Sequence, residues 1–313
     1  MNHPVLSALL PVVLLIAVGF GAGRRGWVSG TAVKDLSNLV FLLLTPALLF
    51  RTMGRIRPEQ LDFTPVLAYF IGVAVVFAGI LAVGGLTRRS AVLALAGTFS
   101  NSVMIGIPLV GLAYGEQGLV VLLTLYTMHT VVLLTSATVV LELAVAREAQ
   151  AGSEAAGRSL GRSVLTAVRS AVLHPVPLPI IAGLLFAQTG LAIPEVIDKP
   201  LQLLGNAFGP VALLLVGVTL AHTPVGQHLR GALGLAAVKN LLHPLLVGVA
   251  AWLLGLRGIP LAVMVVTASL PIGANVFLFS QRYRVGEELI TASVAVSTVL
   301  ALATVSFVMW LLP

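Results

Sequence analysis

Two asparagines stand out because of the residues around them. Asn101 lies in Gly97-Thr98-Phe99-Ser100-Asn101-Ser102-Val103-Met104-Ile105-Gly106-Ile107-Pro108-Leu109, and Asn275 closes Leu270-Pro271-Ile272-Gly273-Ala274-Asn275. Both stretches lie inside apolar runs long enough to cross a bilayer, yet both mix small residues, glycine and proline. A lipid-facing helix has no use for that mixture. A helix that unwinds inside the membrane does, because freed backbone groups can hold a solute while protein shields them from lipid. An Asn amide offers two donors and an acceptor, and half-helix N-termini present N–H groups that favour anions. The expected chemistry is therefore binding of a carboxylate by Asn101, Asn275, the neighbouring Ser100 and Ser102, and backbone N–H groups near Gly106 and Gly273. Gly106-Ile107-Pro108 and Pro271 mark the interruptions. The competing reading is interhelical packing, worth about 0.6 kcal/mol per hydrogen bond. Two Asn at two interruptions favour binding.

Other candidates are few, because a charge at the bilayer centre costs about 2.5–3.5 kcal/mol on insertion scales. His129 stands mid-segment near Tyr126 and Thr130; it can carry a proton or bind substrate, and a structural histidine fits equally well. Lys239 precedes Asn240 and His243 on one predicted helix. Its long stem suits snorkelling to the cytoplasmic surface or helix pairing, and the alternative is a positive charge along an anion's route. Glu142 is read as interfacial. No Asp or Glu lies near either interruption, so the carboxylate that a cation/proton antiporter needs is missing. Coupling to Na⁺ or H⁺ stays open, with Thr98, Ser100, Ser102 and Ser269 able to supply oxygens to Na⁺. No cofactor or metal site is expected. Zero Cys excludes thiolate chemistry, and no HExxH, GxSxG or P-loop pattern supports an enzyme.

The elements that must position these residues follow from composition. Of 313 residues 58% are hydrophobic and 9% charged, with a mean hydropathy of +1.06; soluble domains carry about 25% charged residues. Ten apolar segments are predicted, roughly 5–23, 36–53, 63–86, 91–113, 118–144, 172–190, 201–221, 231–255, 259–280 and 288–312. Most reach the ~20 residues needed to span the hydrocarbon core, and continuous apolar runs argue against a transmembrane β-barrel. Met1 to Pro4 carry no Lys or Arg, so the first segment is read as a retained helix and not a cleaved signal. The net charge of +7 sits in short loops, which points to orientation in a membrane and not to nucleic acid. Alternate loops carry twelve Lys and Arg against five, which places both termini outside. The long polar interval 147–170 is predicted to be a cytoplasmic loop with some amphipathic helix. It divides residues 1–146 from 171–313, with five segments in each half. Odd numbers force matching helices to run in opposite directions, as in an inverted repeat, and segments four and nine are the interrupted ones in both halves.

Asn101-Ser102-Val103-Met104-Ile105-Gly106-Ile107-Pro108-Leu109 with Tyr114-Gly115 resembles the fourth helix of the auxin efflux carrier family. This family includes plant PIN auxin exporters and bacterial carriers described as malonate transporters. Leu270-Pro271-Ile272-Gly273-Ala274-Asn275-Val276-Phe277-Leu278-Phe279 with Tyr283 is similar to its ninth helix, and Thr45-Pro46-Ala47-Leu48-Leu49-Phe50 to a second-helix phrase. The resemblance implies an all-α membrane fold of ten transmembrane helices in two inverted five-helix repeats, with broken helices 4 and 9 crossing mid-membrane. It further implies a scaffold of helices 1, 2, 6 and 7, a mobile transport domain of helices 3–5 and 8–10, an elevator-like motion and a homodimer. Plant members commonly carry a second crossing proline where this chain has Val276, so the ninth helix is expected to unwind slightly earlier or less.

The expected function is secondary transport of a small organic carboxylate, such as malonate, a related dicarboxylate or an auxin-like aromatic acid, in a bacterial inner membrane. The alternative is a membrane-embedded sensor using the same site without net transport. No segment is large enough for a signalling domain, which disfavours it.

Overall fold

The computed structural model describes residues 4–56, 61–151, 177–223 and 226–312, together with residue 165. Among them the chain is almost wholly helical: α1 (Pro4–Arg24), α2 (Ala32–Met53), α3 (Thr64–Gly84), α4 (Arg88–Thr98), α5 (Ser102–Arg147), α6 (Pro177–Gln188), α7 (Glu195–His222), α8 (Leu229–Leu253), α9 (Gly258–Ser269), α10 (Asn275–Arg282) and α11 (Glu287–Leu311). Six of these, α2, α3, α5, α7, α8 and α11, are long and apolar enough to cross a membrane. Their outer faces carry large apolar side chains, including Leu42, Val83, Trp252 and Phe307, while Thr45, Lys239, His243 and Ser297 lie inside. That distribution inverts the one a water-soluble helix shows. Most of the predicted 147–170 loop lies outside the described residues; its first residues, 147–151, continue the helix begun in α5.

Three prolines account for a repeated local feature. Thr45-Pro46, Ile107-Pro108 and His243-Pro244 each follow a widened helical turn, over Val40–Leu44, Ser102–Gly106 and Val238–Leu242. In each case the residue before proline donates its N–H five residues back, to the carbonyls of Val40, Ser102 and Val238 respectively. A proline ring collides with the carbonyl four residues earlier and offers no N–H. Widening the preceding turn by one residue moves that carbonyl aside, so the helix continues where a tight one would kink. This corrects one expectation: Gly106-Ile107-Pro108 is not where the fourth segment unwinds. The chain leaves helical geometry earlier, at Phe99–Asn101.

Gly115 divides α5. Its φ of 61° and ψ of −151° lie outside the helical region, in a conformation open only to glycine at low cost. A Cβ built on Gly118 would lie 3.0 Å from Val110 Cγ1. Eight residues of straight helix would separate them by about 12 Å, so the arms on either side of Gly115 fold back on each other.

The helices pack in two groups. In one, α1 lies along α7, and α2 packs on α6 and α7. In the other, α3 and α11 pack on α8, α9 packs on α8 and α5, and α4 packs on α3 and α5. The α1–α7 contact is backbone against backbone: a Cβ on Gly217 would lie 2.0 Å from the Ile16 carbonyl oxygen, and one on Gly19 the same distance from that of Leu214. Lipid chains are as apolar as leucine, so close approach of this kind is what holds membrane helices together. Across one end of this group Arg51 donates to both carboxylate oxygens of Asp198 at 2.8 and 3.1 Å, and Arg55 joins at 2.6 Å.

Gly217→Ala should push α1 from α7 and cost about 1–3 kcal/mol, the range for overpacking. Gly79→Ala, where a Cβ meets nothing within 4 Å, should leave stability unchanged or slightly raised. Thermal unfolding of the two variants in detergent checks the contrast.

Candidate functional site

The two interrupted segments meet. The Asn101 N–H donates to the Pro271 carbonyl at 2.8 Å, and the Gly273 N–H donates to the Phe99 carbonyl at 2.9 Å. Ser100 and Ile272 thereby form an isolated antiparallel bridge. Each unwound strand supplies the hydrogen-bond partner that the other lost by leaving its helix, as buried backbone requires. The second gap is the longer one. The first covers Phe99–Asn101, between α4 and α5, and the second covers Leu270–Ala274, between α9 and α10. Helix α9 ends at Ser269, before the proline. Pro271 cannot continue the ladder, and Leu270, the residue before it, is extended, as residues preceding proline prefer.

Close approach at the bridge depends on Gly273. A Cβ there would lie 2.6 Å from the Phe99 ring and 3.2 Å from the Ser100 carbonyl oxygen. Gly106 has a comparable role, with Leu270 Cδ1 2.8 Å from where its Cβ would be. Both glycines use their N–H groups inside the protein, Gly106 to the Asn101 carbonyl at 3.2 Å and Gly273 to Phe99. The donors expected near these glycines are therefore not the two glycine N–H groups themselves. At the start of α10 the N–H groups of Ala274 and Asn275 have no backbone acceptor among the described residues.

A cavity of about 260 Å³ opens beside the bridge, bounded by Ser100, Asn101, Ser102, Gly273, Ala274 and Asn275 from the crossing. Its facing wall comes from the other helix group: Val33, Ser37 and Phe41 of α2, Leu215, Val216, Thr219 and Leu220 of α7, and Thr223 just past its end. Tyr126, Val294 and Thr298 also line it. Asn101 and Asn275 are both half-buried. The Asn101 side-chain oxygen accepts the Met104 N–H at 3.3 Å, which caps α5 and turns the rest of the amide to other partners. Pro108 and Pro271 are buried next to the crossing and do not line the cavity.

Behind the bridge lies a buried polar cluster. The Tyr69 hydroxyl bonds Ser100 Oγ at 2.8 Å and lies 3.4 Å from His129 Nε2. His129 does not reach the cavity; its ring packs among Phe99, Tyr69 and Tyr126. His243 packs edge-on against the opposite side of the cluster, with ring centroids 5.2 Å from Tyr69. Lys239 does not snorkel; of the two readings expected for it, helix pairing is the one its bonds fit. It is fully buried, and its Nζ donates to the carbonyls of Ala268 at 2.6 Å and Leu270 at 2.7 Å. Asn240 donates to the Ser269 carbonyl at 2.8 Å. Among the described residues, His129 Nδ1, both His243 ring nitrogens and Asn240 Oδ1 have no partner, and buried groups of this kind are commonly satisfied by internal water. Sequence reasoning missed Tyr69, since a tyrosine in a membrane segment is ordinary. It also missed the α2 and α7 walls, whose serine, threonines and leucines carry no local signal.

Comparison with known proteins finds relatives along almost the whole chain. A family model described as "Membrane transport protein" matches residues 4–309. The chain is 29% identical to a protein of Rhizobium meliloti (strain 1021) named "Putative malonate transporter", over 98% of this chain and 96% of that one. It is 23% identical to "Auxin efflux carrier component 8" of Arabidopsis thaliana, over 96% and 95%. A transporter of Methanothermobacter thermautotrophicus is also 23% identical, over 97% and 96%.

Tyr69→Phe removes one hydroxyl and leaves Ser100 Oγ and His129 Nε2 without their shared partner. Loss of about 1–3 kcal/mol is expected, the cost of stranding buried polar groups. A thermal melt in detergent should show it, and Phe70→Tyr on the neighbouring residue should not restore it.

Proposed function

This chain is an integral membrane protein of the membrane transport protein family, the family of the auxin efflux carriers, and from that premise we propose that it is a secondary carrier of small organic carboxylate anions. The observation that carries the reading is the cavity at the crossing. Two broken helices contribute Asn101 and Asn275 to it, and a separate helix group closes it. Backbone N–H groups at the start of α10 and two Asn amides offer donors to a carboxylate, and no Asp or Glu lines the wall to repel one. A volume of 260 Å³ falls just below the ~300 Å³ lower end for drug-sized ligand pockets. It suits malonate or an auxin-like acid, malonate and auxin being the solutes in the relatives' names.

Ten membrane crossings are counted in this reading. The α4–α5 and α9–α10 breaks are the fourth and ninth crossings, and the arm of α5 beyond Gly115 is the fifth. Five and five then form inverted repeats. The scaffold is α1, α2, α6 and α7, and the remaining helices form the transport domain. Because the crossing belongs to one group and the opposing wall to the other, sliding of one past the other would carry the site across the membrane in an elevator-like motion. The cavity extends toward Val33 and Thr223, beside loops rich in Arg and Lys. With the basic loops in the cytoplasm, the termini are outside and the cavity faces inward.

Counterflow of labelled malonate and of labelled indole-3-acetate in proteoliposomes tests the proposal. Saturable flux of at least one is expected. Asn101→Ala and Asn275→Ala should each lower it about ten- to hundredfold, the equivalent of losing a hydrogen bond to a charged group. Unchanged flux in both variants would remove the site assignment, and saturable binding without any flux would replace the carrier with a sensor.

A further inference from the structure

We propose that Lys239 is a tethered cation that occupies the place of a coupling ion at the broken end of α9. The inference rests on the carrier reading and deepens it. The last carbonyls of a helix have no partner within it, and they carry the negative end of the helix dipole. Where a membrane helix stops in mid-span, such carbonyls are a common seat for Na⁺ in ion-coupled carriers. Here three successive carbonyls at the end of α9 are all engaged. Lys239 Nζ takes Ala268 and Leu270, and Asn240 Nδ2 takes Ser269. Lys239 and Asn240 lie on the widened turn of α8 that precedes Pro244, so the proline-induced turn places two adjacent donors on one helix end.

No acid accounts for this lysine. Among the described residues it forms no ion pair with a carboxylate, and the titratable side chains near enough to feel its charge are His129 and His243. A buried charge without compensation costs several kcal/mol, and here carbonyl oxygens at 2.6 and 2.7 Å supply it, as they would for a metal cation. The first break is built differently. There the Phe99 carbonyl accepts Gly273, and the polar group behind Ser100 is the uncharged Tyr69 hydroxyl. The positive charge is thus placed at one break only, one residue from Pro271, whose carbonyl receives Asn101. An anion in the cavity would meet that charge across the bridge, without a second ion being carried.

Thermal unfolding in detergent, in NaCl against choline chloride at matched ionic strength, tests the idea without any substrate. Failure would therefore leave the carrier reading standing, and absence of flux would leave this inference standing. The wild type should unfold at the same temperature in both salts; saturable stabilisation by Na⁺ would overturn the proposal. Lys239→Ala should unfold several degrees lower in choline and recover saturably with Na⁺ or with ethylammonium, which can enter the vacated space. An alanine variant that folds and ignores both cations would also overturn it. If that variant cannot be isolated in any of these salts, Lys239→Gln decides, because it keeps an N–H donor and removes the charge. A glutamine variant as stable as the wild type overturns the proposal, and one destabilised in both salts supports it.

Discussion

Everything in this molecule depends on how two unwound backbones satisfy each other away from water. A helix that opens in the membrane loses hydrogen bonds that no solvent replaces, and each unpaired group costs several kcal/mol in hydrocarbon. The two breaks answer this with a two-bond antiparallel contact, Asn101 to Pro271 and Gly273 to Phe99. Neither break is tenable without the other. That mutual need explains why glycine stands where Phe99 presses on the backbone, and why proline stands where no N–H is wanted.

Around this contact the polar groups sort by side. Toward the cavity lie groups with spare capacity: two amides and the open start of α10. Behind it lie groups that hold the ends in place, with Tyr69 on Ser100 and Lys239 with Asn240 on the end of α9. The division gives a reason for the burial of Lys239. A cation fixed by carbonyls stabilises the α9 end and sets a positive potential next to the site, and in the low dielectric of the interior such a potential acts over a longer range than at a surface.

The wider architecture serves the same contact. The α1–α7 pair is joined backbone to backbone at Gly19 and Gly217, which makes a stiff wall. The crossing faces that wall over a cavity, where lining side chains are mostly Leu, Val, Ser and Thr. In the proposed elevator reading, stiff packing within the α1–α7 pair and a mostly apolar cavity boundary are what a site that moves as a unit requires.

Local chemistry settled a good part of this in advance. Long apolar runs can only be membrane helices, and Asn beside Gly and Pro in such a run can only be explained by unwinding or packing, so the two interrupted stretches were legible from residues alone. The positions of the breaks were not. Gly106-Ile107-Pro108 reads as a break, yet a widened turn absorbs Pro108, and the chain opens at Phe99 because a partner strand exists there to receive it. The role of Lys239 was equally hidden. A lysine two turns into an apolar helix reads equally as one that snorkels or one that pairs helices, and only the arrival of the α9 end at its ammonium decides for burial. Periodicity and composition report what each segment prefers by itself; which carbonyl meets which donor is decided by helices distant in sequence, and that is a property of the tertiary structure alone.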